Sequence, residues 1–233
     1  MLLLTFIFYI AFASWTILMG ILSIPFLILP SKFIRFPAKM WIKGLFILLK
    51  YICGLTHEIR GLNKLSNEPI IIVSKHQSAF ETFALYYYLE KSFFIHKKQL
   101  FYIPIFGQYL MKHNMVAINR SGKASAMRKM ISDVKKKLDS GSTIIIFPEG
   151  TRKQPGEKAD YKTGFIGIYN VSKRKLQPVA LNSGLYWQKG IKIIKKGHII
   201  IEFLPQIEAG LNKTDVLEKV KYSIESATKK LLS

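Results

Sequence analysis

A chain of 233 residues is long enough for one well-buried core with an appendage, and at 49% hydrophobic residues it is excluded from the disordered class. Its 35 Lys and Arg outnumber 14 Asp and Glu, a net charge of +21 that suits an anionic membrane surface or nucleic acid, whose phosphates release counterions to basic side chains. The single cysteine, Cys53, excludes an internal disulfide and reads as a small buried hydrophobe in a reducing setting.

Residues 1–31 carry no charged side chain, and an apolar run beyond about 18 residues is long enough to enter a bilayer. A cleaved signal peptide is the competing reading, since Ala11-Phe12-Ala13-Ser14 is a small-residue cluster. Against it, the basic leader is missing and apolar sequence continues well past that cluster. Lys32, Arg35, Lys39 and Lys43 follow the run, and the positive-inside rule then places the rest of the chain in the cytoplasm. Pro25 and Pro30 leave room for a kinked or re-entrant segment instead of a straight span. Over 37–55 the lysines Lys39, Lys43 and Lys50 fall within about 40° of one another at helical spacing. Set among Trp41, Leu45, Phe46 and Leu49, this stripe reads as a helix at the membrane interface; the alternative is a core helix with a solvated lysine face. The two segments make a helical membrane anchor over 1–55, ahead of a domain over 56–233. The uncharged amino-terminal run argues against nucleic acid as the partner of the positive charge.

From residue 56 onward, apolar runs of strand length alternate with helical patterns. The runs predict strands over 69–74, 93–96, 115–118, 142–147, 177–181 and 198–204. Met127, Met130, Ile131, Val134 and Leu138 predict one amphipathic helix. Val216, Val220, Ile224, Ala227 and Leu231 predict another, capped at Thr214 and Asp215. The alternation implies an α/β fold, a mixed sheet flanked by helices.

Two segments carry candidate chemistry. The stretch Glu68 to Phe83 runs from a strand into a helix, with His76 at the turn and Glu81 in the first helical turns. A histidine ahead of the helix can fold back to that carboxylate, giving a general base for an attacking hydroxyl, with Glu81 fixing the imidazole tautomer. Ser78-Ala79-Phe80-Glu81 also matches a capping box, in which the glutamate only closes the helix start, and His76 alone could be a hydrogen-bonded structural histidine. The second segment, Ser142 to Arg152, is an apolar strand ending in a proline and glycine turn, where backbone donors and a guanidinium could meet a phosphate. An ordinary surface turn is the alternative.

Together these residues resemble the glycerolipid acyltransferases typified by the 1-acylglycerol-3-phosphate acyltransferase family. His76-Gln77-Ser78-Ala79-Phe80-Glu81 is similar to the histidine, four residues, acid motif of that family. Val116-Ala117-Ile118-Asn119-Arg120 resembles its second block, Phe147-Pro148-Glu149-Gly150-Thr151-Arg152 its third, and Gln177-Pro178-Val179-Ala180 its fourth. Glu81 and Asn119 each stand where the family usually has aspartate. The resemblance implies that His76 is the base and Glu81 its orienting acid. It further implies that Lys97, Arg120, Glu149, Gly150, Thr151 and Arg152 bind the acceptor and that Pro178 lies near the acyl donor. By the same resemblance the acceptor is lysophosphatidic acid, the donor is acyl-CoA or acyl carrier protein, and membrane lipids surround the enzyme; the alternatives are glycerol-3-phosphate or another lysolipid as acceptor, or a non-catalytic lipid-binding protein on the same scaffold. No cofactor or metal is required, since His57, His96, His113 and His198 lack ligand spacing.

Overall fold

The computed structural model describes residues 1–103, 106–113, 115–118, 123–190 and 192–233. Among them are seven strands: β1 (Leu55–Arg60), β2 (Ile71–Ser74), β3 (Ser92–Lys97), β4 (Val116–Ile118), β5 (Thr143–Ile146), β6 (Leu176–Leu181) and β7 (Gly197–Phe203). They form one mixed sheet in the order β1-β7-β6-β2-β5-β3-β4, parallel throughout except between β6 and β7. The helices are α1 (Leu2–Leu22), α2 (Arg35–Cys53), α3 (Phe80–Tyr88), α4 (Phe106–Lys112), α5 (Lys123–Asp139), α6 (Gly164–Ser172) and α7 (Lys213–Leu232).

The central strands are apolar on both faces because helices cover both. Ile72 of β2 and Ile145 of β5 pack with Leu45, Leu49 and Phe80 under α2 and α3. Ile71, Val73 and Ile144 point the other way, onto Val134, Phe165, Ile168 and Val220 of α5, α6 and α7. A strand covered on both sides loses the apolar and polar alternation and reads as a continuous hydrophobic run. Six strands fall on the expected runs. β1 was not among them, since at the sheet edge it alternates a buried or half-buried residue with exposed Thr56, Glu58 and Arg60. α7 differs at its start: the cap is Asn212, whose side-chain oxygen accepts the Asp215 N–H at 2.9 Å, and not Thr214. Asn212 is in extended backbone (φ −69°, ψ 167°), the conformation a cap needs, whereas Thr214 is already helical.

The first two helices form an antiparallel pair. α1 is the one helix among the described residues long and apolar enough to cross a membrane. Two short 3₁₀ turns follow it, Ile24–Leu27 containing Pro25 and Ser31–Phe33 preceded by Pro30. Phe6, Ile10, Ile17 and Ile28 are exposed, while Phe8 is fully buried. α1 nevertheless touches the body along its length. Phe8 packs edge-on against Trp187, the Trp15 indole N–H donates to the Trp41 carbonyl at 2.9 Å, and Tyr109 of α4 donates to the Ser23 carbonyl. α2 buries Ile42, Leu45, Leu49 and Cys53 in the main core, so this helix is a core element as well as a carrier of lysines. The stripe is also divided: Lys43 and Lys50 are exposed, but Lys39 pairs with Glu90 at the end of α3.

His113, just after α4, hydrogen-bonds the Tyr86 hydroxyl, and the Arg35 guanidinium lies over the Tyr86 ring at 4.4 Å. Burial, and then the Arg35 charge, push the His113 imidazole down from 6.5 to about 4. An unfolded chain therefore takes up this proton before the folded one does. The stabilisation is complete above pH 6.5 and is lost as pH falls to about 4. Denaturant unfolding across that window should show His113→Gln losing less stability on acidification than wild type; equal losses would rule His113 out as the responsible group.

Candidate active site

Three neighbouring parallel strands, β6, β2 and β5, end at the same edge of the sheet. Val73 of β2 is level with Ile146 of β5, and Ser74 with Val179 of β6. The chain leaving β2 carries His76, the chain leaving β5 carries Phe147 to Arg152, and the chain leaving β6 carries Ser183. Segments far apart in sequence thus meet outside the carboxyl ends of the strands, where open α/β sheets build their sites.

Glu81 lies in the first turn of α3 and is fully buried. One carboxylate oxygen, Oε1, accepts from His76 Nδ1 at 2.9 Å and from the backbone N–H groups of Gln77 and Ser78, each at 2.7 Å. The other, Oε2, accepts from the Ser183 hydroxyl at 2.7 Å. The two readings of Glu81 left open by the sequence therefore hold together: the same oxygen closes the helix start and orients the histidine. Because Nδ1 must donate to the carboxylate, the proton is assigned there, and Nε2 is left as the basic nitrogen. His76 keeps 14% of its side chain exposed, so the base is reachable from outside. Its ring stacks on Phe147 with centroids 4.0 Å apart and planes 15° apart, and Phe147 stacks in turn on Phe94.

The turn after β5 is clamped to the histidine. The Lys153 N–H donates to the His76 carbonyl at 2.8 Å, and the His76 N–H donates to Glu149 Oε1 at 3.3 Å. Gly150 takes a left-handed conformation (φ 65°) that a side chain would disfavour. Thr151 is exposed and Arg152 half-buried. Glu149 differs from its expected place at the acceptor: its carboxylate is turned inward, 3.2 Å from the buried Lys75 ammonium. Burial raises its carboxyl above the usual range, and the opposing pull of Lys75 is the smaller effect. Pro178 is buried within β6, level with Val73; Ser183, two residues beyond the end of that strand, is the residue that hydrogen-bonds Glu81. Lys97 is the last residue of β3, with its side chain outside what is described, and Arg120 lies outside the described residues. Sequence reasoning missed Ser183, because nothing local marks a hydroxyl 102 residues from its carboxylate. Phe147 belongs to the third block, but its stacking on His76 has no local signal either.

A carboxylate-held histidine at the carboxyl edge of a mixed α/β sheet has the geometry to take a proton from a hydroxyl nucleophile. The acyltransferase family model matches residues 56–182. A 1-acyl-sn-glycerol-3-phosphate acyltransferase of Pseudomonas aeruginosa is 31% identical over 188 residues, 79% of this chain and 73% of that protein. One of Cocos nucifera is 28% identical over 176 residues, 75% of this chain and 55% of that protein. In structure, the chain is similar to the 1-acyl-sn-glycerophosphate acyltransferase PlsC of Thermotoga maritima, with a TM-score of 0.80 at 22% identity, covering 99% and 95% of the two chains. The chain belongs to the acyltransferase family, among the 1-acylglycerol-3-phosphate acyltransferases.

The geometry separates the roles of the residues around Glu81. His76→Ala and Glu81→Gln should each lower kcat about 10²- to 10⁴-fold, the span expected for loss of a positioned base or its orienting charge. Ser183→Ala leaves Oε2 without its donor and should cost about 1–3 kcal/mol of stability, with a smaller loss of rate. Steady-state assays and unfolding curves on the three variants test this. Full activity in His76→Ala would eliminate the base.

Proposed function

We propose that this O-acyltransferase moves a fatty acyl group from acyl-CoA or acyl carrier protein onto the free hydroxyl of 1-acyl-sn-glycerol-3-phosphate, giving phosphatidic acid. The observation that carries the reading is the His76 imidazole bound through Nδ1 to buried Glu81 at 2.9 Å. His76 Nε2 takes the proton of the acceptor hydroxyl while its oxygen attacks the thioester carbonyl. When the tetrahedral intermediate collapses, the carbon–sulfur bond breaks and the imidazolium returns its proton to the departing thiolate. The carboxylate stabilises the transient imidazolium without taking its proton. Gln77 and Ser78 cannot serve the oxyanion through their N–H groups, which already serve Glu81. In this reading Arg152 and Arg120, with Lys97, hold the acceptor phosphate, a task suited to the bidentate guanidinium, while Gly150 and Thr151 shape the turn that presents it.

Residues 1–55 are proposed as the membrane attachment of the acyltransferase domain at 56–233, on the cytoplasmic face. A helix of 21 residues that stays only 11% buried over its apolar window supports insertion. Its contacts with the body from Phe8 to Ser23 support a helix lying in the interface over one crossing the bilayer alone.

Purified protein assayed against a panel of acceptors and both donor types tests the substrate assignment; turnover confined to acceptors other than lysophosphatidate would overturn it. Arg120→Ala and Arg152→Ala should raise KM for lysophosphatidate by about tenfold or more, the weight of a charge-assisted contact, with the donor KM little changed. Equal effects on both substrates would argue against a phosphate clamp. Full-length protein on anionic vesicles should stay bound at high salt and need detergent for release, because apolar insertion is not screened by ions; recovery in the supernatant at both salt concentrations would remove the membrane reading.

A further inference from the structure

Lys75, immediately before the catalytic histidine, is 2% exposed, an unusual place for a lysine. Its ammonium lies between two carboxylates, 3.2 Å from Glu149 Oε1 and 2.8 Å from Glu225 Oε1. Glu225 is on α7, 150 positions away and outside the residues that match the family model. The same Glu225 oxygen accepts the Tyr161 hydroxyl at 2.8 Å, and the Glu149 oxygen that faces Lys75 also accepts the His76 N–H at 3.3 Å. A continuous polar chain thus runs from α7 to the peptide of the catalytic base. Buried charges are retained only when paired, and removal of one partner leaves the others uncompensated.

We propose that Glu225 is a positioning residue for the His76 base, acting through the Lys75 ammonium and the Glu149 carboxylate that holds the His76 N–H. The inference rests on the general-base reading of His76 above. The charged groups held against the His76 turn are Glu81 from α3, Glu149 from the turn after β5 and Lys75; Glu225 from α7 stands one partner further out. With Glu225 neutral, Lys75 is held from one side only, and the turn carrying the imidazole loses its outer brace. One negative charge near the base is also removed, which makes the imidazolium less favourable.

The test compares Glu225→Gln, Glu225→Asp and Tyr161→Phe in full-length protein, using an acceptor that wild type turns over. Glu225→Gln should lower kcat about tenfold, as small misplacements of reacting groups do, while both KM values stay within about twofold. It should also move the acid limb of the kcat/KM profile to lower pH by about half a unit, the effect of one charge lost at partly screened range. Glu225→Asp, which keeps the charge, should leave that limb in place. Tyr161→Phe removes only a hydrogen bond to the same oxygen and should lower kcat less than Glu225→Gln, without moving the limb and with wild-type thermal stability; if Glu225→Gln does not fold, full kcat in Tyr161→Phe overturns the proposal. Full kcat in Glu225→Gln, or a loss of kcat with an unmoved limb and lowered thermal stability, overturns the proposal by making Glu225 a tether of α7 alone. Full activity in His76→Ala would instead overturn the general-base reading itself.

Discussion

Glu81 has no exposed surface, and because an unpaired buried charge costs several kcal/mol, its carboxylate depends on donors from the protein itself. The donors are two backbone amides of the turn, the imidazole and a serine just beyond a neighbouring strand. The demands are not separable. The turn between β2 and α3 takes its shape because Gln77 and Ser78 aim their N–H groups at one oxygen. The same oxygen fixes the ring of His76, and the second oxygen ties the site to the end of β6.

The sheet makes this convergence possible. β2 lies between β6 and β5, so the two segments flanking the histidine turn arrive from either side at the same edge. Gln77 reinforces the β6 side by accepting the Gly184 N–H at 3.1 Å through its side-chain oxygen. A Cβ added at Gly184 would come within 2.9 Å of Gln77 Cβ and 3.0 Å of Pro155, so three segments meet there at a spacing that leaves room for no side chain.

How much of this could be read from the sequence depended on how local each cause was. The Ile-Ile-Val and Ile-Ile-Ile runs of β2 and β5 declared themselves because strands buried on both faces are apolar throughout. The α5 and α7 stripes did so through their 3.6-residue period. β1 was hidden, since Thr56, Glu58 and Arg60 point to solvent from an edge strand, and its apolar residues are too few to stand out. His76 and Glu81 were readable as a pair but not as a geometry, because spacing could not tell a cap from an orienting acid. Their common oxygen shows why no choice was needed. The inward turn of Glu149 had no local signal at all: its partner Lys75 lies 74 positions earlier, and Lys75 in turn answers to a helix near the end of the chain.

The packing of α1 on α2 has a consequence for how the enzyme meets its substrates. A Cβ at Gly44 would fall 2.2 Å from the Trp15 indole, so the indole of α1 is seated against α2 at a position with no room for a side chain. An anchor on a flexible linker lets a domain tumble over a surface and present its site only part of the time. In the attachment proposed above, an anchor packed on its own domain would instead fix the tilt and height of the site. Under that proposal, encounter with a lipid in the same surface would be a search in two dimensions by a molecule already facing the right way.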